Sequence, residues 1–456
     1  MPGFPSAAAQ LVLPNELFAS EHSPEIARIC YLENSFVHGM DLYYAFSILI
    51  VLSALYSYLN SRYLKLPPAI GIMLLAIATS VALLLLSKTF PGFGESFYGL
   101  VASVDFPTVL MGSMLNFLLF AGAIHVSIQE LQKQRIPILI LSTLGVTMST
   151  FLVGGLMFLL LQQLGLAVPF IQCLVFGALI SPTDPLAVIA ILKKVRISKQ
   201  LEIKIAGESL FNDGVSVLLF AILLQLAQGS EVDITFRNVA GLFVQEMVGG
   251  LVVGLLLGYI GSQGIKRIND YQVTVLITVA IVMGGYMITR YLHISGPLTM
   301  AAAGLVIGNY GKAKAMSATD KDYLDKFWEM VDEILNAMLF LIIGLELMLI
   351  PNIQQDWIIG LFSILIVLVS RYLSIWLPMW VIPQIEPFDG KTMAVLVWGG
   401  LRGGVSIALA LTIDPALNQN LFLSATYYVV VFSIVVQGLS IGTLISAINR
   451  RKKLVR

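Results

Sequence analysis

The stretch Gly207-Glu208-Ser209-Leu210-Phe211-Asn212-Asp213-Gly214 sets two carboxylates at the head of an apolar run, Val215 to Leu226. A third acid lies upstream in Ser181-Pro182-Thr183-Asp184-Pro185, and a base lies far downstream in Trp398-Gly399-Gly400-Leu401-Arg402-Gly403-Gly404. Ionisable groups at membrane depth are costly, so they are functional by default. Three acids and one base point to a site for a cation that can also hold a proton.

On a helix through this stretch, Ser209 and Asp213 are four residues apart, as are Glu208 and Asn212, so each pair shares a face. Asp213 offers a hard carboxylate oxygen and Ser209 a hydroxyl. Asp184, the Thr183 hydroxyl and carbonyls freed near the prolines complete an oxygen cage, the donor set that suits a hard cation. The candidate Na⁺ ligands are therefore Asp213, Asp184, Ser209 and Thr183, with Asn212 beside them. A single carboxylate binds a cation or a proton, but not both well. Arg402 needs a counter-charge, because an unpaired arginine in the membrane interior is expensive. Glu208 is the expected partner, in a structural pair. Arg371, Glu246 and Glu346 are expected nearer span ends, snorkelling or in local pairs. His125 is read as a polar filler.

The elements that must hold these residues follow from composition. The chain has 456 residues, of which 57% are hydrophobic and 12% charged, with no net charge. Apolar runs of about 20 residues recur, and each is long enough to cross a bilayer. The runs are continuous rather than alternating, which argues against a transmembrane barrel. This is an all-α polytopic membrane protein whose partner is the lipid bilayer. Nothing resembles a nucleic-acid surface. No cluster has transition-metal spacing, and no cofactor is expected. The two cysteines, Cys30 and Cys173, are not expected to be bridged. Residues 1–41 lack the pattern of a cleavable signal and read as an extracytoplasmic segment.

Thirteen spans are expected: 42–60, 67–87, 106–126, 136–162, 170–195, 205–227, 239–264, 272–291, 295–311, 327–350, 356–382, 391–412 and 421–447. Most of the 27 Lys and Arg residues fall in alternate connections and in the tail 450–456. By the positive-inside rule those segments are cytoplasmic, with the N terminus outside.

Two spans are interrupted. Pro182 and Pro185 flank Thr183-Asp184 in the fifth, and Gly399, Gly400, Gly403 and Gly404 surround Arg402 in the twelfth. Splitting 170–195 at the prolines would leave pieces too short to cross. It reads better as one span broken near mid-membrane, its second half starting at Asp184. The two breaks lie seven spans apart. Six spans, a linker and six spans give inverted repeats, with an interrupted helix at the fifth place of each. Interrupted segments in corresponding positions are the sequence pointer to a transporter site.

These motifs carry a likeness. The Thr-Asp-Pro break, the Gly-Glu-Ser-Leu-Phe-Asn-Asp-Gly helix and the Gly-Gly-Leu-Arg-Gly segment resemble the monovalent cation:proton antiporter family of NhaP and NHE type. Phe327-Trp328-Glu329 leading into Asn336-Ala337-Met338-Leu339-Phe340-Leu341-Ile342-Ile343-Gly344 adds to it. The likeness covers roughly 42–447, in order. It implies a sodium/proton exchanger of NhaA/NhaP-like fold in the cell membrane, usually a homodimer. Within 42–449, spans 4–6 and 11–13 would form a moving core and spans 1–3 and 7–10 a dimerisation domain. Carried over, Asp213 is the ion-binding carboxylate, with Asp184, Ser209 and the Thr183 backbone nearby, and Glu208 and Arg402 are the core charge pair. Asn212 stands where electrogenic relatives have a second aspartate, which implies electroneutral one-for-one exchange. Gly404 stands where alanine is common. Phe120-Ala121-Gly122-Ala123-Ile124-His125-Val126 lacks an acid often found there. The short stretch after Arg450 looks prokaryotic in type.

Other classes fit less well. A K⁺/H⁺ antiporter of the same fold differs only in ion preference. An intramembrane aspartyl protease would use Asp184 and Asp213 as its dyad, but its Gly-x-Gly-Asp motif is absent. A cation channel would line a pore with charge rings or carbonyls, and paired interrupted helices with a lone arginine fit alternating access better.

Overall fold

The computed structural model describes residues 46–89, 106–184, 199–229, 236–268, 270–350, 353–382 and 388–454. Chain contacts divide it into two units, Met1–Ile48 and Leu49–Arg456. Of the first, only the helical residues 46–48 are described, so the expected N-terminal segment and Cys30 lie outside the described residues. The expected site residues all belong to the second unit.

Every regular element among the described residues is helical. An apolar bilayer demands this, since a helix satisfies its backbone polar groups within itself. In order, the helices are α1 (49–64), α2 (Pro68–Thr89), α3 (Phe106–Ile124), α4 (Arg135–Gln163), α5 (Phe170–Ile180), α6 (Lys199–Ala227) and α7 (Phe236–Ile265). Then come α8 (Tyr271–Leu292), α9 (Gly296–Val306, continued by a wider π turn Ile307–Gly311), α10 (Ala318–Glu346), α11 (Trp357–Val381), α12 (Gly390–Trp398), α13 (Gly404–Leu411) and α14 (Gln419–Ala447). Eight of them are long and apolar enough to cross a membrane. α5, α12 and α13 are short apolar pieces, as the two interruptions require.

Local chemistry sets the ends. The Asp270 carboxylate accepts from the amides of Gln272 and Val273 and starts α8. Ser295, followed by a proline in the first turn, starts α9. Ser317 and Asp320 form a reciprocal capping box at the head of α10, the arrangement that satisfies two orphan helix-end donors at once. That cap starts α10 well before the expected residue 327.

Packing is heaviest within two sets of helices. In one, α4 packs on α5 and α11, α11 on α14, α6 on α5, and α13 on α14. In the other, α7 packs on α9, α9 on α3, and α2 on α10. Small residues let these backbones close up, as is usual in membranes. The backbone of Gly177 on α5 comes so close to that of Thr150 on α4 that a Cβ there would stand 2.2 Å from the Thr150 carbonyl oxygen. Cys173 is fully buried in the same helix.

Candidate cation and proton site

α5 ends at Ile180, and the chain runs through Ser181, Pro182 and Thr183 to Asp184 without regular structure. Ser181 covers the helix end by donating to the Gly177 carbonyl at 2.7 Å. Ser149 and Thr150 of α4 bond to the same hydroxyl. Prolines at 182 and 185 forbid continuation of the hydrogen-bond ladder. Residues 185–198 lie outside the described residues, so the second half of the fifth span is not placed.

The twelfth span breaks between Trp398 and Gly404, separating α12 from α13. The two breaks meet. The Asp184 amide donates to the Leu401 carbonyl at 2.8 Å. Arg402 donates from its backbone to Ser433 Oγ of α14 at 2.9 Å and from Nη1 to the Pro182 carbonyl at 3.2 Å. Gly403 lies directly against Asp184, where a Cβ would come within 2.5 Å of Asp184 Oδ2. The freed backbone groups of each broken span are thus satisfied in part by the other.

α6 presents its polar face to this crossing. Ser209 Oγ and Thr183 Oγ1 are 3.3 Å apart, and Asn212 Nδ2 donates to Thr183 Oγ1 at 2.8 Å. Ser216 Oγ, one turn on, donates to the Ala178 carbonyl of α5 at 2.6 Å. Ser209, Asn212 and Thr183 are buried, whereas Asp213 and Asp184 keep partial exposure. The charge of Asp184 acts on Asp213. Asn212 Oδ1 is buried with no hydrogen-bond partner. The expected residues Asp213, Asp184, Ser209, Thr183 and Asn212 are therefore placed about one crossing, with hydroxyl, amide and carboxylate oxygens among them. Among the described residues, no group of three His, Cys, Asp or Glu could hold a metal ion. A cation here would draw on neutral oxygens as well as on the acids.

The charge pair differs from expectation. Glu208 Oε1 pairs with Arg371 Nη1 at 2.5 Å, not with Arg402. Arg371 sits well inside α11, buried, rather than snorkelling at a span end. Arg402 is drawn instead to the Pro182 carbonyl just beyond the C-terminal end of α5, where the helix dipole presents partial negative charge. Glu346, also expected near a span end, is buried at the end of α10.

Lys312, Asp325 and His125 form a second ionic cluster. Lys312 bonds to Asp325 of α10 and donates to the Ile124 carbonyl at the end of α3. His125 Nδ1 lies 3.3 Å from the same Asp325 carboxylate. His125 is thus more than the polar filler expected. The sequence signal for this cluster is the pair Lys312 and Lys314 just ahead of Asp320 to Asp325.

Residues 48–447 match the family of transmembrane sodium/hydrogen exchangers. The chain belongs to that family. It is 45% identical over 418 residues to the Na⁺/H⁺ antiporter NhaP of Pseudomonas aeruginosa, covering 90% of this chain and 97% of that protein. It is 32% identical to the Na⁺/H⁺ antiporter NhaH of Halobacillus dabanensis, covering 85% of this chain and 94% of that one. The fold superimposes on the solved structure of the sodium proton antiporter MjNhaP1 of Methanocaldococcus jannaschii with a TM-score of 0.68. Identity there is 21%, with 89% of this chain and 98% of the other covered. In this exchanger family the chain is a secondary transporter rather than an enzyme, and the protease reading falls away.

Proposed function

We propose that this exchanger carries Na⁺, and also Li⁺, against H⁺ through a site centred on Asp213. The observation that carries the site is the convergence of Ser209 and Asn212 of α6 on Thr183 of the first break, with Asp213 on the same helix one turn beyond Ser209. In the loaded state the cation would rest on the Asp213 and Asp184 carboxylates, with the Ser209 and Thr183 hydroxyls as neutral ligands. In the returning state a proton takes its place on Asp213. Either occupant lowers the charge that must cross a low-dielectric interior, whereas the empty site keeps both carboxylates ionised and crosses poorly. Coupling then needs no separate proton pathway. It needs only that one seat serve both ions in turn.

Asn212 is an amide, so Asp213 is the one acid this stretch of α6 adds to the crossing besides the paired Glu208. One cation for one proton, an electroneutral cycle, follows. Glu208 and Arg371 brace α6 against α11, and Arg402 holds the two breaks together. Spans 4–6 with 11–13 act as the moving core within 42–449, and spans 1–3 with 7–10 as the dimerising scaffold. The lysine-rich connections and the tail 450–456 face the cytoplasm, and residues 1–41 lie outside. The protein works as a homodimer in the plasma membrane in pH and sodium homeostasis.

The test is dequenching of a ΔpH probe in proteoliposomes, with Na⁺, Li⁺ and K⁺ added in turn, with and without a membrane-potential clamp. The proposal expects responses to Na⁺ and Li⁺ that the clamp leaves unchanged, and an apparent KM for Na⁺ that rises as pH falls. A response to K⁺ alone would instead make this a K⁺/H⁺ antiporter. Flux that does not saturate with Na⁺ would make it a channel.

A further inference from the structure

α10 carries two polar residues that the site above does not use. Asp332, Asn336, Leu339 and Ile343 recur at spacings of four, three and four, so they share one face of the helix. That face meets the second break. A Cβ on Gly404 would stand 2.4 Å from Leu339 Cδ1 and 3.0 Å from Ile343 Cδ1. The neighbouring Gly403 is the residue against which the Asp184 carboxylate lies. Asn336 and Asp332 therefore follow the same face away from the break, one and two turns toward the end of α10 that bears Lys321 and Lys326.

Their oxygens are unusual. Asp332 Oδ1 and Asn336 Oδ1 are both buried, and neither has a hydrogen-bond partner. Buried acceptors in folded proteins are nearly always satisfied, and leaving one without a donor is costly. The Asn336 side chain hydrogen-bonds to the Asp332 carboxylate, yet one oxygen of each is left without a donor, and a cation or water would satisfy both. At the break itself the fully buried Asn212 has an orphan Oδ1 of the same kind. Asp332 as a residue keeps partial exposure. The Asp184 charge acts on it as well.

We infer that Asp332 and Asn336 form an approach subsite for the transported cation, on the lysine-rich side of the crossing. A hard monovalent cation leaving water would first meet the Asp332 carboxylate and the Asn336 carbonyl oxygen, then pass along the α10 face to Asp184 and Asp213. Oxygen ligands suit such an ion. The carboxylate raises the local cation concentration. Asp332 acts as a positioning residue, and Asp213 remains the seat where ion and proton compete. The inference rests on the reading of Asp213 as that seat.

The test is Na⁺-driven exchange in proteoliposomes with Asp332→Asn, Asp332→Glu and Asn336→Leu, run beside Asp213→Asn. Removing one nearby charge should raise the apparent KM for Na⁺ by about fivefold in Asp332→Asn, with the maximal rate within about a factor of two. Asp332→Glu should return KM toward that of the unmodified protein, and Asn336→Leu should raise it by a smaller factor. The same order should hold for the Na⁺ concentration that half-stabilises each purified variant against heat in detergent, a readout independent of transport. If Asp332→Asn is lost to misfolding, Asn336→Leu decides. An unchanged KM in the folded variants overturns the inference, as does a fall in maximal rate with KM unmoved, or a failure of Glu to rescue. Water alone between the two oxygens would give that unchanged KM. Exchange by Asp213→Asn would sink the underlying site reading instead, so the two failures are distinct.

Discussion

The Asp184 amide and the Leu401 carbonyl, 2.8 Å apart, join the two interrupted helices by a direct backbone hydrogen bond between residues more than two hundred positions apart in sequence. Each break frees backbone groups that the bilayer would penalise, and each supplies partners to the other. The acids of the site are held at this knot, so its geometry governs the chemistry.

Gly403 should be the least replaceable residue of the knot. A methyl there meets Asp184 Oδ2 at 2.5 Å and Asp184 Cβ at 2.8 Å, and the backbone bond beside it leaves Asp184 little room to retreat. Gly404→Ala meets the ends of the Leu339 and Ile343 side chains instead, which can turn aside. Gly403→Ala is expected to lower the maximal exchange rate at least about tenfold, as small misplacements of reacting groups do, while Gly404→Ala stays within about threefold. Rates of the purified variants in proteoliposomes check the contrast.

The two buried arginines should differ in their effect on stability. Arg371→Ala leaves Glu208 buried without its partner, and removing one member of a buried pair typically costs about 3–5 kcal/mol. Arg402→Ala removes one bond to a carbonyl and leaves no orphan charge behind, so about 1–2 kcal/mol is expected. Thermal denaturation in detergent should therefore rank Arg371→Ala well below Arg402→Ala. The reverse order would return Glu208 to Arg402 as its partner.

Ser209→Ala should separate the two ions. The hydroxyl is a neutral ligand, useful to a cation and of little use to a proton held on Asp213. Apparent KM for Na⁺ is expected to rise about fivefold, the worth of one hydrogen-bond-scale contact, with the pH at which exchange is half-maximal at saturating Na⁺ unmoved. Titrations of rate against Na⁺ and against pH measure both quantities.

The Lys312, Asp325 and His125 cluster should matter little to stability. The Asp325 side chain is 43% exposed and that of His125 39%, with Lys312 at 15%, and an ion pair whose acid is this open to solvent contributes about 1 kcal/mol. Asp325→Asn should shift the thermal midpoint only slightly and leave the apparent KM for Na⁺ unchanged. A large loss of exchange would instead tie this cluster, which links the ends of α3 and α10, to the transport cycle.

Much of this was legible in the residues. Apolar runs mark spans because a bilayer allows few alternatives, and helical counterparts of the expected segments recur along the described chain. Proline and glycine mark the two breaks because they remove the donors or the stiffness a helix needs. The i, i+4 spacing from Ser209 to Asp213 puts hydroxyl and acid on one face before any fold is known. Partner choice was not legible. Glu208 takes Arg371 because of where α11 lies beside α6, a tertiary relation that leaves no local trace. Asp332 carries no such mark, and Asn336 stands out only as the first residue of the Asn336-to-Gly344 segment. Their importance comes from orphaned oxygens and from the Asp184 charge nearby, and neither shows in a single helix of mixed polarity.

Whether Asp213 is the shared seat is decided by Na⁺/H⁺ exchange of purified Asp213→Asn in proteoliposomes, with heat-induced unfolding followed in the presence and absence of Na⁺. An amide neither releases a proton in the working range nor pairs with Na⁺ as a charge. A shared seat at Asp213 requires a folded variant with no exchange and no stabilisation by Na⁺. Exchange at the rate of the unmodified protein, with Na⁺ still protecting the fold, would contradict it.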